Sequence, residues 1–357
     1  MENSLVFVSP VGRILKQRKI VGDGGIARYN AWDKRIRTIR CRRGDTEIIE
    51  LTGRKRMLRL IKLFVLSKGK KIFLLYPHAG IRLDRKGFVY EVLSFTFIIL
   101  MRYCSCRNQV ILDISDLKYE QSLDLELDNL DSRALKILEK VLFLGRKFYF
   151  IFASESMCEF ASRKYGIPKN RITTCINGGD IVEEYNGCRT DNTIKYIYSG
   201  TLNRGRNIEN MIDNFPDKEG YELILLGNDG EWIENIIKGR GNIKYLGAVP
   251  EQEAHRIVSC CDVGLIPYDE HRLYYNIAYP TKLSFYITAG ISYLATPTHE
   301  IERLGYDIGY IRKMDEWKDT IMDIGIDEIN EKKKKIAQIK NEFSWDTTLS
   351  CRWLDEI

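Results

Sequence analysis

The chain has 357 residues, which is too long for one average domain and enough for two domains with their own cores. Its 44% hydrophobic and 29% charged residues are those of an ordinary soluble protein, and its net charge of +6 is moderate. The nine cysteines and four histidines form no spacing typical of metal ligands, which excludes a zinc-binding module and favours reduced thiols in a cytoplasmic protein.

Strand-like and helix-like segments alternate along the chain, which predicts an α/β fold. The opening segment is a short strand and not a secretory signal. A loop with Gly24 and Gly25 follows it and leads into a helix near Ile26, an arrangement that points backbone N–H groups at a ligand. In the first half we expect strands at Ser4–Val8, Lys71–Tyr76, Gln109–Ile114, Phe148–Ala153 and Arg171–Cys175.

The basic segment, residues 35–71, holds many arginines and lysines and few acids. Apolar residues between Met57 and Val65 recur there at helical spacing, which predicts an amphipathic basic helix that could contact an anionic membrane. A helix facing its own core would have the same pattern. The apolar run Phe88–Met101 contains Glu91 and is too short to span a bilayer, so we expect a core helix and only peripheral membrane contact.

Acidic residues lie at the end of the strand Gln109–Ile114. Because α/β enzymes keep their sites at the carboxyl ends of parallel strands, Asp116 is the preferred general base, with Asp113 and His78 as alternatives. Either aspartate could instead cap a helix, and His78 could be structural.

The second half repeats the pattern, with strand exits marked by glycine. Its expected strands are Lys195–Ser199, Tyr221–Leu226, Ile243–Leu246, Val263–Ile266 and Tyr293–Ala295. The polar stretch Asp180–Asn192 is the expected linker. The predicted domains are therefore residues 1–185, residues 193–340, and a C-terminal helix at residues 341–357.

In order and spacing, the second half resembles the donor domain of GT-B glycosyltransferases related to family four. The matching segments are Gly200–Ile208, Leu225–Gly230, Asn242–Gly247, Val249–Glu251, Cys261–Pro267 and Pro280–Ile291, with Asn177–Asp180 and Phe343–Trp345 outside them. The resemblance covers residues 150–350. It implies two Rossmann-like domains facing a cleft, with a last helix that returns to the first domain.

The resemblance also implies a donor site. Arg206 stands at the position of a family lysine, and Pro280 begins a helix whose first N–H groups would face the diphosphate. Charge grows on the β-phosphate as the glycosidic bond breaks, and cations there stabilise it without a metal. The predicted catalytic residues are Asp116 and Arg206, and the predicted donor-binding residues are Gly25, Thr201, Arg204, Arg206, Gly227, Tyr279, Pro280, Thr281, Lys282 and Leu283.

One departure from the family concerns two glutamates eight positions apart. Ile277 and Phe285 occupy those positions, so the glutamate that usually holds the ribose is missing. The run Pro280–Tyr286 resembles a branch of bacterial glucosyl- and galactofuranosyltransferases of glycan assembly.

The predicted function is hexose transfer from a nucleotide sugar, preferably a UDP-sugar, to a glycan or lipid-linked acceptor in bacterial surface polysaccharide assembly. No metal or other cofactor and no nucleic acid are expected, and a homo-oligomer is left open. The expected location is the cytoplasm, on the inner membrane face if the basic segment binds lipid. The alternatives are a non-catalytic glycosyltransferase-like partner subunit, favoured by the missing glutamates, and a GT-B-type nucleotide-sugar epimerase, disfavoured by the few histidines.

Overall fold

The computed structural model describes residues 4–10, 24–43, 46–53, 55–77, 87–125, 132–145, 147–182 and 192–349. For residues 24, 25 and 41–43 it describes the backbone alone. The chain divides into two compact units. The first takes the N-terminal strand, Gly25–Ile176 and Leu349, and the second takes Asn177–Thr348. The predicted limits at residues 185, 193 and 341 stay predictions.

The first unit contains a parallel sheet of six strands in the order β2-β1-β3-β4-β5-β6. Its strands are β1 (Leu5–Ser9), β2 (Thr46–Glu50), β3 (Lys71–Tyr76), β4 (Gln109–Ile114), β5 (Phe148–Phe152) and β6 (Ile172–Thr174). Nearly all side chains of the four central strands are buried, as expected for a parallel sheet covered on both faces.

Helices connect these strands. They are α1 (Gly24–Arg43), α2 (Arg56–Leu66), α3 (Phe88–Ser105), α4 (Lys118–Asp124), α5 (Ser132–Phe143) and α6 (Glu155–Tyr165). Parallel strands are joined by right-handed crossovers, and the strand order therefore places α2, α3 and α5 on one face of the sheet and α1 on the other. In agreement, α3 packs between α2 and α5.

The second unit has its own parallel sheet of six strands in the order β12-β11-β10-β7-β8-β9. Its strands are β7 (Ile194–Ser199), β8 (Tyr221–Leu226), β9 (Ile243–Gly247), β10 (Val263–Ile266), β11 (Ser292–Ala295) and β12 (Gly309–Ile311). Its helices are α7 (Ile208–Asp213), α8 (Ile233–Ile236), α9 (Glu251–Ser259), α10 (Leu273–Ile277), α11 (Thr281–Thr288), α12 (His299–Glu302), α13 (Trp317–Asp323), α14 (Ile326–Ile339) and α15 (Trp345–Thr348). Of the predicted C-terminal helix, residues 350–357 lie outside the described residues.

The α/β class and the strands expected from sequence are confirmed, with ends that move by one or two residues. Two strands were missed, β2 and β12. Both are edge strands with one neighbour in the sheet. An edge strand needs less apolar sequence than a central one, and β2 carries Glu47 and Glu50 within the basic segment.

The expectation that Phe88–Met101 forms a core helix is wrong. Helix α3 is longer, with 18 residues, and only 33% of it is buried. By length and composition alone it is the one helix in the described part of the chain that could cross a membrane.

The cysteines only partly fit the expectation of reduced, buried thiols. Cys104 and Cys261 are free and buried, Cys175 is buried, and Cys106 is free and exposed. Cys260 is disulfide-bonded, so the expectation is wrong for that residue.

Candidate anion site in the second unit

Two glycines form the floor of the site, where β7 and β8 end. Gly200 and Gly227 have φ angles of 145° and 148°, a region open to glycine. The two backbones touch, since a Cβ atom on Gly227 would lie 1.7 Å from the Gly200 carbonyl oxygen. The N–H of Gly200 donates to the Leu226 carbonyl at 2.8 Å. No side chain fits between these strand exits, so the backbone itself lines this part of the site.

The side chain of Lys282 crosses this floor. A Cβ atom on Gly200 would lie 2.6 Å from the Lys282 Nζ atom. The ammonium lies 4.8 Å from the centre of the Tyr198 ring and 5.8 Å from that of Tyr268. Burial, with a further contribution from the positive charge of Arg206, lowers the pKa of Lys282 to about 7.

Arg206 supplies the second cation. Its guanidinium is partly buried, and its Nε atom is buried without a hydrogen-bond acceptor. Within the described residues, neither Arg206 nor Lys282 forms an ion pair. Two neighbouring cations without a carboxylate repel each other, and a bound anion would relieve that repulsion. The geometry therefore fits a phosphate group.

A group of tyrosines holds the loop that carries Arg206. The Tyr198 hydroxyl donates to the Thr201 carbonyl at 2.8 Å, and the Tyr275 hydroxyl donates to the Gly205 carbonyl at 3.2 Å. The Tyr268 and Tyr275 rings stack with centroids 4.3 Å apart. Neither Tyr198 nor Tyr268 was predicted from the sequence, although Tyr198 lies only two residues before the glycine at the strand end.

Helix α11 begins directly after Pro280, as predicted. The helix N-terminus carries partial positive charge and adds to the attraction for an anion. Thr281 and Lys282 occupy its first two positions. Leu283 differs from them, because its N–H donates to the Pro280 carbonyl at 2.9 Å and its side chain is buried.

Tyr279 is engaged within the fold. Its buried hydroxyl shares a hydrogen bond of 2.8 Å with Ser284, and Ser284 donates to the Asn177 carbonyl at 2.7 Å. The N–H of Gly179 donates to the Phe343 carbonyl at 2.9 Å. Tyr279 thus helps to fasten the segment Asn177–Asp180 to α11.

Arg204 has partners elsewhere. It is exposed, forms an ion pair of 2.9 Å with Glu209, and lies 4.8 Å from the centre of the Trp232 ring. Of the two arginines predicted after β7, only Arg206 lies close enough to Lys282 to lower its pKa.

The positions of the missing glutamates are apolar in the structure. Ile277 is buried, and the Phe285 ring packs against His255 with centroids 5.1 Å apart. Helix α11 contains no carboxylate. A ribose at these positions would therefore be recognised differently from the family pattern.

Asp116, the predicted base, belongs to the first unit. It lies two residues beyond β4, is 20% exposed, and accepts a bond of 2.9 Å from the Lys118 ammonium. This is the solvent-accessible strand-end position expected for it.

Asp113, the alternative base, is the penultimate residue of β4, so it lies at a strand end as expected, but it is fully buried inside the first unit. Arg28 binds its carboxylate through two nitrogens, at 2.9 Å and 2.6 Å, and donates to the Cys175 carbonyl at 2.7 Å. Burial lowers the pKa of Arg28, whereas the charge and hydrogen bonds of Asp113 raise it, and the net effect is a raised pKa. This ion pair is structural, and no pattern in the sequence indicates Asp113 as the partner of Arg28.

Two predicted residues lie near or beyond the limits of the described chain. Gly25 is the second residue of α1, so the expectation that it lies in the loop before the helix is wrong. His78 lies outside the described residues.

Three residues in the second unit could hold a metal ion. The ligand atoms of Asp180, Glu251 and His255 lie within 4.8 Å of one another. Both carboxylates are exposed, a common arrangement without an ion. The sequence did not reveal this group because Asp180 is distant from α9 along the chain.

No family model and no curated protein matches the chain, whereas solved structures do. WaaG, a glycosyltransferase involved in lipopolysaccharide biosynthesis, aligns over 99% of this chain and 99% of its own, with 11% identity and a TM-score of 0.64. HepE from Anabaena, in complex with UDP-glucose, aligns over 100% and 99%, with 12% identity and a TM-score of 0.61. Sucrose-phosphate synthase from Thermosynechococcus elongatus aligns over 100% and 98%, with 11% identity and a TM-score of 0.60.

The chain has a GT-B fold. At such low identities the likeness shows the fold alone. In the GT-B fold of this chain, the cations Arg206 and Lys282 lie at strand ends of the second sheet, where open α/β sheets bind ligands.

Proposed function

We propose that this protein is a glycosyltransferase that moves a hexose from a UDP-sugar to the hydroxyl of a glycan or lipid-linked acceptor. The observation that carries the proposal is the pair of cations, Arg206 and Lys282, without a carboxylate partner among the described residues. They lie beside bare backbone at Gly200 and at the start of α11. A diphosphate supplies the negative charge that this arrangement lacks.

In the proposed reaction, the bond between the sugar and the β-phosphate breaks and negative charge grows on the nucleoside diphosphate. Arg206 and Lys282 stabilise that charge, because cations held in place by the fold need little rearrangement during the step. Asp116 accepts the proton of the acceptor hydroxyl if the reaction inverts the sugar configuration. A retaining reaction needs no such base.

The choice of a uridine nucleotide draws support from the structural neighbours. HepE was solved with UDP-glucose, with UDP and glucose, and with UDP. WaaG is described as a glycosyltransferase of lipopolysaccharide biosynthesis. These names favour a role in surface polysaccharide assembly, which we propose for this chain on that analogy.

We further propose that the transfer needs no metal, since two side-chain cations and a helix terminus already face the phosphate position. A second candidate function is a non-catalytic partner subunit that keeps the GT-B fold. The apolar side chain of Phe285, where the family usually has a glutamate, favours it.

The test is UDP release from UDP-glucose and other nucleotide sugars, measured with and without EDTA. We expect release in EDTA, and a loss of about 100-fold or more in Arg206→Ala, as when one group stabilising the transition state is removed. Lys244→Ala is the matched control, because Lys244 is an exposed cation of the same unit paired with Glu222 at 3.1 Å.

Failure to consume or bind any nucleotide sugar would contradict the transferase and favour the partner subunit. Loss of activity in EDTA, restored by a divalent ion, would instead contradict metal independence and direct attention to Asp180, Glu251 and His255. Conversion of the sugar without UDP release would favour the epimerase.

A further inference from the structure

Helix α3 in the first unit exposes large apolar side chains to water. Its exposed large apolar side chains are Phe88, Val89, Val92, Leu93, Ile99 and Tyr103. At 3.6 residues per turn these positions share one side of the helix. The opposite side packs in the unit and includes the small polar residues Ser94 and Ser105. The buried side also carries Phe97, Ile98 and Met101, so α3 is apolar on both its buried and its exposed sides.

The two neighbouring helices extend this apolar surface. Helix α2 exposes Leu58, Ile61 and Leu66, and α5 exposes Ile137. The three helices touch, through Phe64 and Phe97 between α2 and α3, and through Arg102 and the Val141 carbonyl between α3 and α5. We call the exposed sides of α2, α3 and α5 the apolar face. Large exposed apolar patches often mark interaction sites.

The exposed charges on the apolar face are predominantly positive. Lys62, Arg102, Lys136 and Lys140 are exposed on its helices. Of the acidic residues in α2, α3 and α5, Glu139 is buried and Glu91 is only partly exposed. An apolar surface ringed by cations complements an anionic lipid bilayer.

A cationic pocket adjoins the end of α3. It has a volume of about 480 Å³ and is lined by Lys70, Lys71, Arg107 and Lys147, of which Lys70 is paired with Glu47 at 3.0 Å. The Arg107 guanidinium lies 4.6 Å from the centre of the Tyr103 ring, and its Nε atom is buried without an acceptor. The pocket thus joins the apolar face and is suited to a phosphate group.

We propose that the apolar face docks onto an anionic membrane, with the pocket at the end of α3 taking a lipid phosphate. The sequence expectation placed membrane contact on the basic segment, residues 35–71. The structure shifts its centre to α3, which lies outside that segment. This inference does not depend on the transferase proposal, because it concerns the first unit alone.

Two other uses of the face fit less well. Helix α3 connects two adjacent parallel strands and packs on the sheet through Phe97 and Met101, so crossing a bilayer would dismantle the unit. A symmetric dimer would bring the same cations of two copies together without compensating carboxylates. A bilayer with anionic headgroups satisfies both the apolar and the charged residues.

The test is cosedimentation of the full chain with vesicles. We expect binding to vesicles containing about 30% phosphatidylglycerol, at least tenfold weaker binding to pure phosphatidylcholine vesicles, and weaker binding as salt rises. Ile99→Asp should reduce binding about tenfold or more, because it removes an apolar contact that the exposed Ile99 would make with the bilayer and adds a negative charge. Ile236→Asp, an exposed isoleucine of the second unit, is the matched control and should bind like the wild type.

The pocket is tested separately by Lys147→Ala. We expect about fivefold weaker binding to the anionic vesicles, the effect of one cation near such a surface. Lys244→Ala is its control. Circular dichroism and UDP titration of each variant show whether the fold and the second unit are intact.

Equal binding of wild type and Ile99→Asp would overturn the proposal. So would stabilisation by inorganic phosphate without vesicle binding, or a dimer in sedimentation analysis that Ile99→Asp dissociates. Because UDP binding is measured on the same samples, failure of this proposal is distinguishable from failure of the transferase assignment.

Discussion

The charged form of Lys282 is unfavourable in the free protein, and a bound anion would stabilise it. Burial and the charge of Arg206 lower its pKa to about 7, so the free protein holds it partly neutral at neutral pH. A bound diphosphate favours the charged form and raises that pKa again. Ligand binding and proton uptake are therefore linked at this residue.

This linkage predicts the pH dependence of UDP binding. At about pH 8 we expect UDP to bind with uptake of up to one proton, and at about pH 6 with less, because Lys282 is already charged there. The affinity should fall as pH rises above 7. Calorimetry in buffers with different ionisation enthalpies measures the uptake, and Lys282→Met should abolish it. The same uptake in that variant would assign the proton to another group.

The stability of the free protein should respond in the opposite direction. A lysine with a lowered folded-state pKa opposes folding most strongly below pH 7, and the penalty fades between pH 7 and about 10.5. Lys282→Met should thus raise the free energy of unfolding by about 1 kcal/mol at about pH 6 and by less at about pH 9. Urea denaturation at both pH values checks this, and a destabilised variant at the lower pH would contradict it.

The buried pair of Arg28 and Asp113 leads to a different expectation. Removing one partner leaves an uncompensated charge in the core, so Asp113→Leu should cost about 3–5 kcal/mol of unfolding free energy. The double variant Arg28→Met with Asp113→Leu should recover most of that loss. Lys244→Ala, which breaks a surface pair, should cost less than about 1 kcal/mol. Equal losses in the single and double Asp113 variants would contradict a charge effect.

Among the elements, the turns after β7 and β8 depend on glycine for two separable reasons. Gly227 has a positive φ, and its backbone also touches Gly200. Gly239 has a positive φ of 92° but nothing within 4 Å of its Cβ position. The comparison of these two glycines separates backbone strain from steric contact.

Gly227→Ala should therefore be more damaging than Gly239→Ala. We expect a loss of about 1 kcal/mol for Gly239→Ala, from backbone strain, and a loss larger by at least about 2 kcal/mol for Gly227→Ala, from the added clash. Thermal and urea unfolding measure both, and UDP titration shows whether the strand exits still form the site. Equal losses would mean that the contact with Gly200 relaxes without cost.

Among the strands and helices, some could be predicted from sequence patterns better than others. The bounds of buried strands such as β3, β4, β8 and β10 were predicted to the residue. In an α/β chain, a continuous apolar run bounded by glycine or polar residues predicts a buried parallel strand. Edge strands lack that signal. The error at α3 has another cause, since apolar residues on its outer side made a surface helix look like a core helix.

Across the whole molecule, the two units differed in how much of their function could be predicted. In the second unit, glycines and cations follow directly after strands, so sequence order placed Arg206, Gly227 and Lys282 near one another. In the first unit, Asp113 and Arg28 are 85 residues apart, and only the folded sheet shows that one neutralises the other. Sequence order cannot tell a buried ion pair from a catalytic carboxylate.

In the proposed donor site, Arg206 and Lys282 bind the β-phosphate of a nucleoside diphosphate. Calorimetric titration of UDP and of UMP into wild type and Lys282→Ala, with EDTA present, tests it most directly. We expect wild type to bind UDP at least tenfold more tightly than UMP, and the variant to lose most of this preference. Equal affinities for UDP and UMP in the wild type, or an unchanged preference in the variant, would contradict it.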